Sequence, residues 1–290
     1  MKRILTAIVL IAAVLALVFF GKLWMIVLFS AVVAELAAYE YLQIATTSGS
    51  VGSPTTRIPL WWMAGATALL FVATLPNWPL EAQFPLLSAL TMLLFAWNGF
   101  RAHRDTLDRV LPDTAKGIFG LIYVAYPLTL IPLLWKQEDG TALIVFLMVC
   151  VWAGDIAALY VGRNFGKRKL APRLSPNKTW EGSIASVIGS VMAAGLVMIA
   201  SDQLSARGNT ILHITEPAWQ SILLAIVLNI AAQVGDLLES AIKRGANVKD
   251  SGTMLPGHGG ILDRIDALLL AAPVLWFTLL LKDAFGLGRF

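Results

Sequence analysis

The 290-residue chain has little charge: only 14% of its residues are Asp, Glu, Lys or Arg, against roughly 25% in an average soluble domain. With 58% apolar residues and a mean hydropathy of +0.74, a water-solvated globule is excluded. Cysteine is nearly absent. The single Cys150 has no partner in the chain, which rules out an internal disulfide framework and a cysteine zinc site, and it reads as a small core- or lipid-facing residue. Histidine is scarce too, and the isolated His103 and His213 read as interfacial residues without chemistry. The net charge of +4 has no soluble domain to carry it as a basic face. Anionic membrane lipid, not nucleic acid, is therefore the expected polyanionic neighbour. Low-complexity tracts and internal repeats are also missing, so residues 1–290 read as a single integral-membrane domain.

What the chain does have is long apolar runs. Crossing a hydrocarbon core of roughly 30 Å takes about 20 helical residues, and runs of that order are expected at 4–20, 24–45, 58–76, 85–100, 117–135, 141–161, 180–200, 217–234 and 265–281. Strands of a membrane barrel would alternate over about ten residues, so the expected fold class is all-α, a polytopic transmembrane protein with about nine spans. The first run follows Lys2 and Arg3 without a clear cleavage site and reads as a retained span. Of the 22 Lys and Arg residues, all but Lys22, Lys136, Arg207, Lys282 and Arg289 fall in one alternate set of loops. The positive-inside rule then predicts a cytoplasmic N-terminus in the cell inner membrane and a polar site at the cytoplasmic side. Residues 1–110 read mainly as packing and lipid contact, with Glu35 and Glu40 as packing or snorkelling residues. The basic loop Arg101 to Lys116 reads as a topology determinant, the tryptophans as interface anchors, and 141–281 as the catalytic part.

Chemistry concentrates in Gly235 to Asp266. This stretch holds the carboxylates Asp236, Glu239, Asp250, Asp263 and Asp266 and the cations Lys243, Arg244, Lys249 and Arg264. It also holds His258 and a run of glycines. On a helix continuing from the preceding span, Asp236, Glu239, Ser240 and Lys243 share one face. The chain is expected to leave that helix after Gly245, turn at Pro256 and Gly257, and re-enter the membrane with Asp263 and Asp266 on the first turn of the returning helix. Carboxylates there are favoured by the helix dipole. If the two helices pack as a hairpin, Asp236 and Asp263 face each other. Mg²⁺ binds through a few carboxylates plus substrate oxygens, so metal-assisted phosphoryl or nucleotidyl transfer is the natural reading. Asp236 and Asp263 are the candidate ligands, and Asp266 is either a third ligand or a supporting residue. The residues leave open whether one metal is used or two, the second monovalent or divalent. Lys243, Arg244, Lys249 and Arg264 would neutralise a triphosphate and its leaving pyrophosphate. Gly259 and Gly260 would let backbone amides approach phosphate, and His258 would hold a phosphate oxygen. Asp250 either joins the site or pairs with a neighbouring cation.

A second cluster runs from Gly154 to Ser183. Asp155, costly in lipid, is expected to face a cavity. Gly162, Arg163, Gly166, Lys167, Arg168 and Lys169 read as a basic, flexible loop for polyanions. Ser175-Pro176-Asn177-Lys178-Thr179 leads into a helix carrying Glu181, with Thr179 or Ser175 as its cap.

With these residues in view the chain resembles the phosphatidate cytidylyltransferase, or CDP-diacylglycerol synthase, family. That family's long signature is matched by Ser240, Lys243, Arg244, Lys249, Asp250, His258, Gly259, Gly260, Asp263, Arg264 and Asp266. Its upstream pattern is matched by Asp155, Gly162 to Lys167 and Ser175 to Gly182, with Asn177 where the family often has lysine. The resemblance, which extends to the opening Met1 to Ala7, implies the conversion of CTP (or dCTP) and phosphatidic acid into CDP-diacylglycerol and pyrophosphate in phospholipid biosynthesis. It also implies Asp236 and Asp263 as leading Mg²⁺ ligands, and a homodimer. Phosphatidate suits such chemistry, because a phosphate monoester has a second pKa near about 6 and is already a nucleophile at neutral pH. Two alternatives compete. A CTP-dependent polyprenol kinase would share basic loops and metal needs. A transporter would share intramembrane carboxylates, but the charges cluster at one face and the halves show no repeat.

Overall fold

The structure is a computed structural model that describes residues 2–47, 58–76, 78–214, 217–254 and 259–286. It is helical almost throughout. The helices are α1 (Lys2–Phe20), α2 (Leu23–Thr47), α3 (Leu60–Val72), α4 (Gln83–Arg101), α5 (Val110–Gly120), α6 (Tyr126–Trp135), α7 (Gly140–Phe165), α8 (Trp180–Ala206), α9 (Ala218–Gly245) and α10 (Leu262–Ala284). A single π turn, Leu121–Ala125, joins α5 to α6. Every span expected from the sequence contains a helix. Six helical stretches among the described residues are long and apolar enough to cross a membrane: Leu23–Thr46, Thr106–Trp135, Gly140–Phe165, Trp180–Ala206, Ala218–Gly245 and Leu262–Ala284. Three expected spans are not among these six, and of α1 the stretch Ile11–Phe20 counts as a shorter apolar helix. α3 has 13 residues, about 20 Å at 1.5 Å each, and α4 carries Gln83, Asn98 and Arg101 within its 19 residues. The architecture is an all-α polytopic membrane protein with at least these six apolar helices.

Among the described residues the helices are joined by one two-stranded sheet. Within the loop read as flexible, β1 (Lys169–Ala171) pairs antiparallel with β2 (Ser175–Thr179). The basic stretch is thus partly ordered, and it starts later than expected because α7 continues to Phe165 and absorbs Gly162 and Arg163.

The chain forms two compact units. The first comprises Met1–Ile26, Leu133–Ala241 and Asp266–Phe290, and the second Val27–Pro132 and Ile242–Ile265. In the first unit, α7 and α8 pack through small residues four apart. A Cβ on Gly182 would lie 3.2 Å from the Gly162 Cα and 3.0 Å from the Ala158 carbonyl oxygen, and one on Gly189 would lie 2.7 Å from the Ala157 Cβ. In lipid, where apolar side chains gain nothing by leaving one solvent for another, such close approach is how helices associate. Asn229 of α9 ties into this seam, its Nδ2 donating to Ser186 Oγ at 2.9 Å and Ser190 Oγ at 2.7 Å. Gly154 sits against that amide, where a Cβ would be only 2.2 Å from Asn229 Nδ2. Gly154→Leu is therefore expected to lower stability by about 1–3 kcal/mol through overpacking, measurable as a reduced unfolding temperature in detergent.

In the second unit, Tyr41 Oη of α2 donates to the Lys116 carbonyl oxygen at 2.9 Å, and Lys116 Nζ donates to the Ala45 carbonyl oxygen at 3.1 Å. Lys116, read as a topology charge, thus also satisfies a carbonyl in the last turns of α2. Arg101 stacks over Trp97 at 5.0 Å, and with His103, Arg109 and Asp113 it borders a cavity of about 650 Å³.

Candidate active site

The residues singled out by the sequence divide between the two units. In the first, Thr179 closes β2 and caps α8. Its backbone is extended at φ −129° and ψ 155°, and its Oγ1 accepts from Gly182 N at 3.2 Å, as an N-cap threonine should. Glu181, in the first turn of α8, reaches back over the hairpin and accepts from Lys167 N at 3.1 Å and Arg168 N at 3.2 Å. This carboxylate serves to shape the basic loop. Ser175 begins β2 opposite Ala171. Lys178 projects from β2 to Asp236 of α9, with Nζ 2.7 Å from Oδ2 and both side chains partly exposed. Lys167, Arg168 and Lys169 are exposed, as is Arg163 on the last turn of α7.

Asp236 lies in the half of α9 where Ser240 Oγ also donates to its Oδ1, at 3.5 Å. Glu239, on the same helical face, is fully buried. The preceding residue explains how α9 approaches its neighbour: a Cβ on Gly235 would lie 2.7 Å from the Asp266 carbonyl oxygen of α10, so these two backbones meet where only glycine fits. Asp266 itself turns its Oδ1 to the Ala267 amide at 2.8 Å. Asp155 is exposed on α7, well before the helix end at Phe165.

In the second unit, α9 runs to Gly245 as expected, but the residue that turns the chain is Asn247. It sits at φ 57°, with Val248 N donating to the Lys243 carbonyl oxygen at 3.0 Å and Asn247 N to that of Arg244 at 3.1 Å. That pair of bonds is a Schellman motif, in which asparagine tolerates the left-handed conformation better than most residues. Arg244 Nη1 donates to the Val248 carbonyl oxygen at 3.0 Å, and Lys249 and Asp250 are exposed beyond the turn. His258, with Pro256 and Gly257, lies outside the described residues.

Asp263 occupies the first turn of α10, whereas Asp266 falls in the second rather than the first. Asp263 is the most engaged carboxylate of the set. Oδ2 accepts from Ser251 N at 2.9 Å and Gly260 N at 2.8 Å, while Oδ1 takes the Lys243 ammonium. Only 7% of the Asp263 side chain and 11% of Lys243 remain exposed. Gly259 has φ +80°, and a Cβ there would lie 2.7 Å from Asp263 Oδ2, so that glycine answers both a backbone and a steric need. Arg264, the next residue, is exposed.

Two residues absent from the sequence-derived set complete this corner. Glu40 of α2 is fully buried, and its Oε2 accepts from Ser251 Oγ at 3.0 Å and Leu262 N at 2.9 Å. Ser251 Oγ in turn accepts from Asp263 N at 3.3 Å. An ionisable residue within a span is by default a functional candidate, which is the signal that could have promoted Glu40 over a packing reading. Ser251 offered only its place beside Asp250.

The donor chemistry fits a hard cation without forming a dedicated cage. Among the described residues, no three acidic, histidine or cysteine side chains gather as a metal cluster. Mg²⁺ commonly takes only one or two carboxylates and fills its remaining positions with water and phosphate oxygens. Asp236, a third exposed, has lone pairs to offer. Asp263 offers Oδ1, the oxygen facing Lys243.

Residues 1–281 match the model of the cytidylyltransferase family. The chain is 35% identical over 275 residues to the phosphatidate cytidylyltransferase of Brucella suis biovar 1 (strain 1330), covering 94% of this chain and 91% of that protein. It is 33% identical over 286 residues to the enzyme of that name from Bacillus subtilis (strain 168), covering 97% of each. It is 32% identical over 292 residues to that of Haemophilus influenzae, covering 94% and 96%. Matched over residues 1–281 by that family's model and similar to these enzymes over nearly their full length, this chain belongs to the cytidylyltransferase family.

Proposed function

We infer that this chain transfers the cytidylyl group of CTP to phosphatidate, giving CDP-diacylglycerol and pyrophosphate. The observation that carries the reading is the pairing of each of the two candidate metal-binding carboxylates with a lysine, Asp236 with Lys178 and Asp263 with Lys243. Such pairs hold acceptors for a cation and donors for phosphate side by side. The exposed Arg163, Lys167, Arg168 and Lys169 add positive charge at the hairpin, and Arg244, Lys249 and Arg264 add it around the Schellman turn.

The substrates bring most of the reactivity. One oxygen of the phosphatidate dianion attacks the α-phosphorus of CTP, a P–O bond forms, and the bond to the β-phosphate oxygen breaks to release pyrophosphate. No protein base has a proton to remove. The protein's task is to hold two polyanions together and offset the charge that gathers on the departing oxygen. Lys178, Lys243 and the neighbouring arginines do this by direct hydrogen bonding. Asp236 and Asp263 would hold Mg²⁺, which when bound supplies Lewis-acid stabilisation of the phosphoryl oxygens.

We further place the chain in the inner membrane with about nine crossings, a cytoplasmic N-terminus, the charged loops on the cytoplasmic side and a homodimeric assembly. The distribution of Lys and Arg supports the orientation.

The assignment is tested with purified protein in detergent, phosphatidate, Mg²⁺, and CTP labelled separately at the α- and γ-phosphates. The α-label is expected in lipid and the γ-label in pyrophosphate. Entry of γ-label into lipid would instead define a kinase, and entry of neither would sink the transferase reading.

A further inference from the structure

We infer that Glu40 is a positioning residue for this reaction, capping α10 from a different helix and thereby fixing the orientation of Asp263. The inference rests on the proposed role of Asp263, but its structural half stands independently. A helix begins with amides that have no intrahelical acceptor, and these need partners when buried. The residue before α10 is Ile261, whose side chain has no acceptor to offer. Leu262 N, the first amide of α10, finds Glu40 Oε2 at 2.9 Å, and Asp263 N finds Ser251 Oγ at 3.3 Å, which itself donates to Glu40 Oε2 at 3.0 Å. One carboxylate, 222 residues from Leu262 in sequence, thus collects the start of α10 directly and through one hydroxyl.

The loop backbone is shaped to receive it. A Cβ on Gly252 would lie 2.4 Å from Glu40 Oε1, and one on Gly260 would lie 2.4 Å from Oε2 and 2.0 Å from Ser251 Oγ. Both glycines let the chain close over a fully buried carboxylate. The same segment then holds Asp263 from its other side, through the amides of Ser251 and Gly260 on Oδ2. Asp263 has little freedom while Glu40 is in place. Removing the Glu40 acceptor releases the Leu262 amide and the Ser251 hydroxyl, and with them the loop that aims Asp263. A displacement of about 1 Å in such a group is enough to cost roughly 10²-fold in rate.

The test compares Glu40→Gln, Glu40→Ala, Ser251→Ala and the Glu40→Ala/Ser251→Ala pair with wild type. Glutamine keeps an oxygen able to accept both hydrogen bonds, so Glu40→Gln should hold kcat within about threefold. Glu40→Ala should lower kcat by roughly 10²-fold with smaller changes in KM for CTP. The double variant should be no worse than Glu40→Ala, because the two side chains act through one path. Amide exchange of the segment 251–265, followed by mass spectrometry in detergent without nucleotide or metal, gives a readout independent of turnover. Protection there should fall in Glu40→Ala and persist in Glu40→Gln. Unchanged exchange in Glu40→Ala, or a glutamine variant as impaired as alanine, overturns the inference. If Glu40→Ala does not fold, Ser251→Ala carries the test, with partial loss of protection and of kcat expected and a wild-type profile refuting it. If wild type itself transfers no label from CTP, the functional reading fails while the exchange experiment still decides the capping role.

Discussion

Asp263→Asn is expected to lower cytidylyl transfer by about 10³-fold or more, the scale on which removal of a preorganised charge-stabilising group acts. The substitution also disturbs the fold, and the two effects can be separated. Asp263 and Lys243 keep 7% and 11% of their side chains exposed, so they form a nearly buried pair. Removing one member of a buried pair leaves the other charge uncompensated and costs about 3–5 kcal/mol when burial is complete. Asp263→Asn should therefore unfold at a lower temperature than wild type, toward the smaller end of that range. Neutralising both partners in Asp263→Asn/Lys243→Met removes the orphaned ammonium and should recover much of the stability, since buried pairs are often replaceable by uncharged side chains at little cost. Activity should not recover. Thermal unfolding in detergent alongside the labelled-CTP assay reads both quantities. A double variant that regained turnover would make Asp263 a structural residue only.

Lys178→Met should give the opposite balance, a large kinetic loss with little change in stability. The Lys178–Asp236 contact is short at 2.7 Å, but 26% and 36% of the two side chains are exposed, so water and salt screen it. Pairs of this kind are worth about 0–1 kcal/mol. The hairpin does not depend on it, because Thr179 and Glu181 hold the start of α8 and the basic loop through backbone amides. A charge-assisted bond to a substrate phosphate is stronger than a screened surface pair. Its loss should cut kcat/KM by about 10²-fold, within the range seen when one transition-state donor is removed. Lys178→Arg, which keeps the charge but changes a point ammonium to a planar fork, should fall between. A large drop in unfolding temperature with unchanged kcat/KM would instead make Lys178 a strut between β2 and α9.

Both experiments concern residues that motif and charge placement had already marked. The end of α9 at Gly245, the cap at Thr179 and the place of Asp263 in the first turn of α10 were also readable, because helix ends obey local rules of capping and composition. Other features had no such local sign. The β1–β2 hairpin is built from three and five residues, too short for alternation to register, and its second strand contains a proline that reads equally well as a loop. Gly162 looked like loop flexibility, yet it belongs to the glycine and alanine seam where α7 meets α8. Composition cannot distinguish a glycine kept for bending from one kept for close approach.

By itself, the sequence determined the solvent of this protein, the helical type of its segments, and the composition of its two charged clusters. Those properties follow from apolar run length, charge and short-range spacing, which any stretch of chain expresses alone. The tertiary structure alone decided that Lys178 meets Asp236, that Lys243 meets Asp263, and that Glu40 closes the start of α10 through Leu262 and Ser251. Such partners are chosen by how helices pack, and a hydrogen bond between residues 222 positions apart leaves no trace in local propensity.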